Sequence, residues 1–172
     1  MKLANIESKG LSRVAIVLDE ELVDLTAQLG AELSDLPQFL AMGAEGLARA
    51  ERCLKAATPR VPMSSIKLRS PVQRADKIIG VGMNYHSFVA AARRIGIAVP
   101  AERLWFYRPR GCLIGPHDDI WLPRDASDLD YEAELAVVIG RRCRYVTPAQ
   151  APAVIAGFTI ANDLTLRERV FK

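Results

Sequence analysis

The first third of the chain alternates between two hydrophobic periods. Lys2–Ile6, Arg13–Leu18 and Leu22–Leu25 are short apolar runs that read as strands, and Asp19-Glu20-Glu21 reads as the tight connection between the last two. From 36 to 56 the period lengthens. Ala and Leu recur at helical spacing there, which predicts one or two helices. Pro59, Pro62 and Pro71 interrupt the stretch after residue 56. A boundary is placed near 70–76, giving a small N-terminal α+β domain over 1–72 and a second domain over 73–172.

The second domain starts on Lys77–Val81, a short buried strand whose end is flanked by Gly80 and Gly82. Tyr85–Ile95 reads as a helix with Phe88, Val89, Ala92 and Ile95 on one face. Leu104–Tyr107, Cys112–Ile114 and Ile120–Leu122 are short strand candidates separated by Pro and Gly. Asp130–Gly140 carries the strongest strand pattern. Val146–Ala153 reads as a turn and short helix, and Ala156–Leu164 as a further strand. Many short strands with few helices indicate an α+β fold rich in β structure.

Composition narrows the functional classes. Half of the residues are hydrophobic and a quarter are charged, as in globular rather than disordered chains. The net charge is only +3, and the first 70 residues hold nine basic and nine acidic side chains. The remaining Arg residues are scattered in pairs such as Arg93-Arg94 and Arg141-Arg142, with no basic stripe and no interleaved aromatics, which argues against nucleic acid as a partner. Cys53, Cys112 and Cys143 have no metal-binding spacing, and an odd, sparse count argues against a disulfide framework. MKLANIESKG lacks the apolar segment of a secretory signal, and no apolar run approaches the ~18 residues of a membrane span. The expectation is a cytoplasmic protein with no membrane partner.

The residues richest in chemistry are Glu132 and Glu134. Positions i and i+2 of a strand share a face, so both carboxylates project together from the DYEAEL segment. Close like charges repel and persist readily when a cation lies between them. Asp163 supplies a third carboxylate at the end of an otherwise apolar strand, just after Asn162. With no His or Cys nearby, the set is all oxygen and hard, suiting Mg²⁺, Mn²⁺ or Ca²⁺ rather than Zn²⁺. By spacing alone, Glu-x-Glu on a strand is most often just the solvated face of a structural strand.

Four segments carry a family resemblance, in order, over about 95 residues. KIIGVGMNYHSF is similar to the strand and Asn-Tyr entry of the fumarylacetoacetate hydrolase catalytic domain. LWFYRPRGCLIGP resembles its Phe-x-Lys-Pro segment and the Gly-Pro turn after it. LDYEAELAVVIGRRCRYV resembles its Glu-x-Glu-Leu strand, and AGFTIANDLTLRE its Asn-Asp-x-Ser/Thr-x-Arg segment. The 2-keto-4-pentenoate hydratase and 2-oxohepta-3-ene-1,7-dioate hydratase branch is the nearest in kind. The resemblance implies a mixed β-roll, a homodimer, and Mg²⁺ (or Mn²⁺ or Ca²⁺) held by Glu132, Glu134 and Asp163. It also implies a small 2-oxo or diketo acid substrate in catabolism of aromatic compounds or sugar acids, whose 2-oxo carboxylate end the metal chelates as a Lewis acid. Hydrolysis of a C–C bond, isomerisation, decarboxylation and hydration all share that chemistry.

The chain also departs from the family pattern. Phe88 and Ala91 stand where many hydrolase members carry a His and a Glu on a lid helix, and neither can move a proton. His86 is the candidate displaced base, with a solvent-exposed or capping His as the alternative. Arg108 replaces a usual Lys and keeps the positive charge for a substrate carboxylate, with a surface or structural ion pair as the equal alternative. Tyr85 is a candidate pocket-lining residue or a core aromatic. Arg167 matches the family Arg and reads as an intramolecular support, Val170 replaces a common Gln, and His117 reads as a turn residue. Family members continue past the point where this chain stops at Phe171-Lys172, so a truncated catalytic roll is expected. The alternative to an enzyme is a non-catalytic metal- or ligand-binding subunit, or a half-domain, of the same family.

Overall fold

The computed structural model describes residues 1–170. The chain divides into two compact units, Met1–Val72 together with the residues from Gly115 onward, and Gln73–Ile114. Every strand pairing among the described residues is antiparallel.

In the first unit, β1 (Leu3–Ser8), β2 (Leu11–Leu18) and β3 (Glu21–Asp24) form a meander. Lys9 and Gly10 join β1 to β2, both at positive φ (52° and 74°), the twist that a two-residue hairpin loop needs. Asp19-Glu20 makes the next turn, one residue shorter than the sequence predicts, because Glu21 already pairs with Leu18. Leu25 belongs to helix α1 (Leu25–Leu29) rather than to β3, since the Asp24 side chain accepts the Ala27 N–H at 2.9 Å and starts the helix there.

The helical stretch is two helices, α2 (Leu36–Ala41) and α3 (Gly43–Lys55). Asp35 and Gln38 close a reciprocal capping box at the head of α2. Val14 and Ile16 on one face of β2 pack with Val23, Leu25, Leu33, Leu36, Phe39 and Ala50. Ile6, Ala15 and Leu22 form a smaller core on the opposite face. The alternation of β2 therefore fills both sides of the sheet. Buried Asn5 ties the layers together. Its side-chain amide donates to the Ser70 and Pro71 carbonyls at 2.9 Å each, and its Oδ1 accepts the Leu36 N–H at 2.7 Å.

Two edge strands escape the sequence reading: β4 (Val61–Pro62) beside β3, and β5 (Lys67–Leu68) beside β1. β5 brings Lys67 to Asp118, 2.5 Å away, and Asp118 also accepts the Gly115 N–H at 2.8 Å.

The second unit is a pair of strands with a helix between them in sequence. In chain order they are β6 (Ile78–Gly82), helix α4 (His86–Arg94) and β7 (Leu104–Arg108). Gly80 pairs with Phe106, and a Cβ on Gly80 would run into the Phe106 ring, so the ring rests directly on the glycine. Helix α4 ends in a Schellman arrangement. Gly96, at φ 79°, donates to the Arg93 carbonyl at 3.2 Å, and Ile97 donates to Ala92 at 2.9 Å. Ala92 is its buried anchor, whereas Ile95, expected on the same apolar face, is 74% exposed beyond the last helical turn.

Three expected strands change form. Cys112–Ile114 overlaps a 3-10 turn at Arg110–Cys112, and Ile120–Leu122 is irregular. Their β-forming side chains find no partner strand among the described residues. Asp130–Gly140 is split into β8 (Leu129–Asp130) and β9 (Ala133–Ile139), with Tyr131 and Glu132 between them. β9 pairs with β10 (Ile155–Asn162), and β8 pairs with β11 (Thr165–Leu166), which leads directly into the short helix α5 (Arg167–Val170).

Candidate metal centre

The split of the DYEAEL segment determines how the carboxylates are placed. β8 pairs with β11 and β9 with β10, so residues 130–134 run beside residues 161–165. At the join, the Asp163 N–H donates to the Glu132 carbonyl at 2.9 Å, and the Glu132 N–H donates to Asn162 Oδ1 at 3.1 Å. Asn162 thus replaces the ladder partner that Glu132 loses in the gap. Glu134 comes next on β9, opposite Ala161. Burial alternates through the segment: Glu132, Glu134, Ala136 and Val138 are half-buried, while Tyr131, Ala133, Leu135 and Val137 are exposed. Asp163 is half-buried as well.

A cation is already present at this join. Arg167 Nε lies 2.8 Å from Asp130 Oδ2, and its guanidinium Nη2 lies 2.7 Å from Glu132 Oε1. Partial burial pulls the guanidinium toward lower pKa, but its bond to Asp130 and the charge of Glu132 outweigh that and hold it above its ordinary value. In the conformations shown, no three His, Cys, Asp or Glu side chains among the described residues converge closely enough to hold an ion.

The other candidates lie in the second unit. Tyr85 is the residue that precedes α4, and His86 is its first residue; both side chains are exposed. Phe88 is 40% exposed on the same helix. Arg108 ends β7 with its guanidinium over the Phe106 ring, 5.1 Å from the centroid, a cation–π stack that orients the planar group. His117 is exposed in a turn of the first unit.

Residues 77–172, more than half of the chain, match the family model described as fumarylacetoacetate (FAA) hydrolase C-terminal. The chain belongs to the fumarylacetoacetate hydrolase family. Among curated relatives, the mitochondrial oxaloacetate tautomerase FAHD2A of Bos taurus is 36% identical over 147 residues, covering 86% of this chain and 46% of its own length. Among solved structures, maleylpyruvate hydrolase from Sphingobium sp. SYK-6, in complex with manganese(II) and pyruvate, superimposes with a TM-score of 0.79 at 26% identity. That match covers 99% of this chain and 61% of the hydrolase. The 5-carboxymethyl-2-hydroxymuconate delta-isomerase from Mycobacterium smegmatis gives 0.68 at 27% identity, covering 98% and 57%. The chain spans about half the length of the curated relatives it matches. The mammalian relatives are named as mitochondrial, so they do not carry the cytoplasmic expectation. No helix of the described residues is long and apolar enough to cross a membrane.

Membership of the fumarylacetoacetate hydrolase family implies a divalent metal, and the residues at the join suit one in kind. Every donor is a carboxylate oxygen, the ligand type of hard divalent ions, and the guanidinium of Arg167 shows that the join accommodates positive charge. Asp130 and the Arg167 bridge were not among the residues singled out for the metal. Asp130 carries one available signal, since it stands two residues before Glu132 on the same alternation.

Proposed function

We propose that Glu132, Glu134 and Asp163 hold a divalent cation, Mg²⁺ or Mn²⁺ with Ca²⁺ as the third choice, in an enzyme that acts on a small 2-oxo acid. The observation that carries this reading is the join itself. A 2.9 Å backbone hydrogen bond sets Glu132 beside Asp163, with Glu134 two residues along the same half-buried alternation. The relatives support the substrate class, since one is named as an oxaloacetate tautomerase and another is a maleylpyruvate hydrolase in complex with manganese(II) and pyruvate. When bound, the ion supplies Lewis-acid polarisation of the substrate's 2-oxo and carboxylate oxygens.

The chain's own residues set which reaction fits. Phe88 and Ala91 offer no atom that accepts a proton, so direct activation of an attacking water by these two positions is ruled out. Proton relocation within the substrate, as in tautomerisation or isomerisation, needs no such water and is the favoured class, with decarboxylation and hydration next. His86 is proposed as the proton carrier. Arg108, pre-oriented on Phe106, is proposed to bind a carboxylate in the planar two-toothed manner of arginine. Tyr85 is proposed as a substrate contact. A complete β-roll, assembled as a homodimer, is proposed as the setting.

The test is a spectrophotometric panel on the protein as its gene encodes it. Enol and keto oxaloacetate, acylpyruvates and 2-hydroxydienoates are offered with Mg²⁺ or Mn²⁺. Metal-dependent turnover of at least one substrate is expected, and Glu134→Gln should reduce it by more than about 100-fold through loss of a ligand. Manganese binding without turnover across the panel would favour the non-catalytic reading, which Phe88 and Ala91 also motivate. Activity that survives Glu134→Gln would move the site elsewhere.

A further inference from the structure

Arg167 is held in a way that a plain structural ion pair does not require. Its two carboxylate contacts use different atoms: Nε serves Asp130, and Nη2 serves Glu132. The backbone on both sides is fixed independently of the side chain. Thr165 and Leu166 pair with Asp130 and Leu129, and the Arg167 N–H donates to the Asp128 carbonyl at 3.0 Å. One residue on, Glu168 accepts the Ser127 N–H at 3.2 Å, and Arg169 pairs with Asp125 at 2.7 Å. The guanidinium can therefore let go of Glu132 without disturbing the strands, while its Nε contact to Asp130 remains.

Charge gives a reason for it to let go. Asp130, Glu132, Glu134 and Asp163 place four carboxylates along this short stretch of two neighbouring strands. A divalent ion brings two positive charges to the Glu132 carboxylate where the guanidinium brings one, and the two compete for it.

We propose that Arg167 is a resident counter-cation that competes with the divalent ion for Glu132, holding that side chain in the metal-free protein and releasing it, while keeping Asp130, when the ion binds. The inference rests on the metal reading above. It makes Arg167 a positioning residue whose bond to Glu132 stabilises the empty site and weakens metal affinity.

The experiment is calorimetric titration of MnCl₂ into the full chain and into Arg167→Gln, Arg167→Lys and Arg169→Gln, with circular dichroism to establish folding. Competition predicts that Arg167→Gln binds Mn²⁺ about tenfold more tightly, because the competing charge-assisted bond is gone. It should also melt at a lower temperature than wild type without metal and gain more from added Mn²⁺. Arg167→Lys keeps the charge but cannot span both carboxylates, so it should gain affinity by a smaller factor, and it serves as the test if the Gln variant fails to fold. Arg169→Gln removes a nearby charge that touches neither Asp130 nor Glu132, and its affinity should stay within about twofold of wild type, as expected of an exposed pair.

Equal gains in the Arg167 and Arg169 variants would reduce the effect to general electrostatics and overturn the proposal. Unchanged or weaker Mn²⁺ binding in both Arg167 variants would overturn it too, showing that Arg167 and the ion share Glu132. In either case the metal reading stands as long as Glu134→Gln lowers Mn²⁺ affinity. Absence of Mn²⁺ binding in wild type and in every Arg167 variant would remove the metal reading and this inference together.

Discussion

At the scale of single residues, the protein uses side chains to replace backbone bonds that its short strands do not supply. Asn162 caps the Glu132 N–H in the gap between β8 and β9. Asp118 does the same for the Gly115 N–H while pairing with Lys67. The Lys67 ammonium, then the Gly115 N–H, and more weakly the charge of Arg69 hold the Asp118 carboxyl below its usual range against the opposing effect of desolvation. A carboxyl that is more acidic in the folded state contributes stability above the ordinary aspartate value, about pH 4. That contribution disappears as the pH falls through the depressed value. Urea midpoints measured at pH 6 and pH 3 should therefore drop further for wild type than for Asp118→Asn. Equal drops would show that the Lys67–Asp118 pair contributes nothing to folding. The pair joins residues 67 and 118, so neither residue alone announces it.

At the scale of elements, the longer helices were legible, while α1, α5 and the shortest strands were not. Over 36–56, Asp35, Gln38 and a helical apolar period act on the same few turns, and local chemistry suffices to set α2 and α3. β4, β5, β8 and β11 are two residues each, too short to show any period. They exist because a neighbouring strand presents free hydrogen-bonding groups. The opposite failure occurs at Ile120–Leu122, where strand-forming side chains lie exposed without a ladder. Helix α4 offers a clean test of local control. Gly96 ends it at φ 79°, and a Cβ there would meet nothing within 4 Å. Gly96→Ala should thus cost only the left-handed backbone penalty, about 1 kcal/mol, read as a lower thermal or urea midpoint. A cost near zero would mean that α4 ends without the Schellman arrangement.

At the scale of the whole molecule, the distribution of apolar surface is uneven. The N-terminal sheet covers both of its faces. The β9–β10 ribbon leaves Leu135, Val137, Ile139, Phe158 and Ile160 about half exposed or more, with Val137 opposite Phe158 and Leu135 opposite Ile160. Two strands alone are marginally stable in water, and an apolar face of this kind is normally covered. The 172-residue chain should therefore enhance the fluorescence of a hydrophobic dye such as ANS, and Ile160→Glu should reduce that signal while the helical circular dichroism persists. Unchanged dye fluorescence would mean that the ribbon is covered in solution.

The amino-acid order by itself carried the α+β class, the family motifs, the helical stretch over 36–56, and the three carboxylates Glu132, Glu134 and Asp163. These arise from contacts a few residues apart or from motifs that survive as linear strings. Only the tertiary structure decided that Asp130–Gly140 breaks into two strands with different partners, that Asn5 secures Leu36 to residues 70 and 71, and that Arg167 holds Glu132 from 35 positions away. The physical reason is common to all three. A backbone or side-chain polar group takes whichever partner the fold brings within hydrogen-bonding distance, and that distance is set by the packing of distant segments rather than by neighbours in the chain.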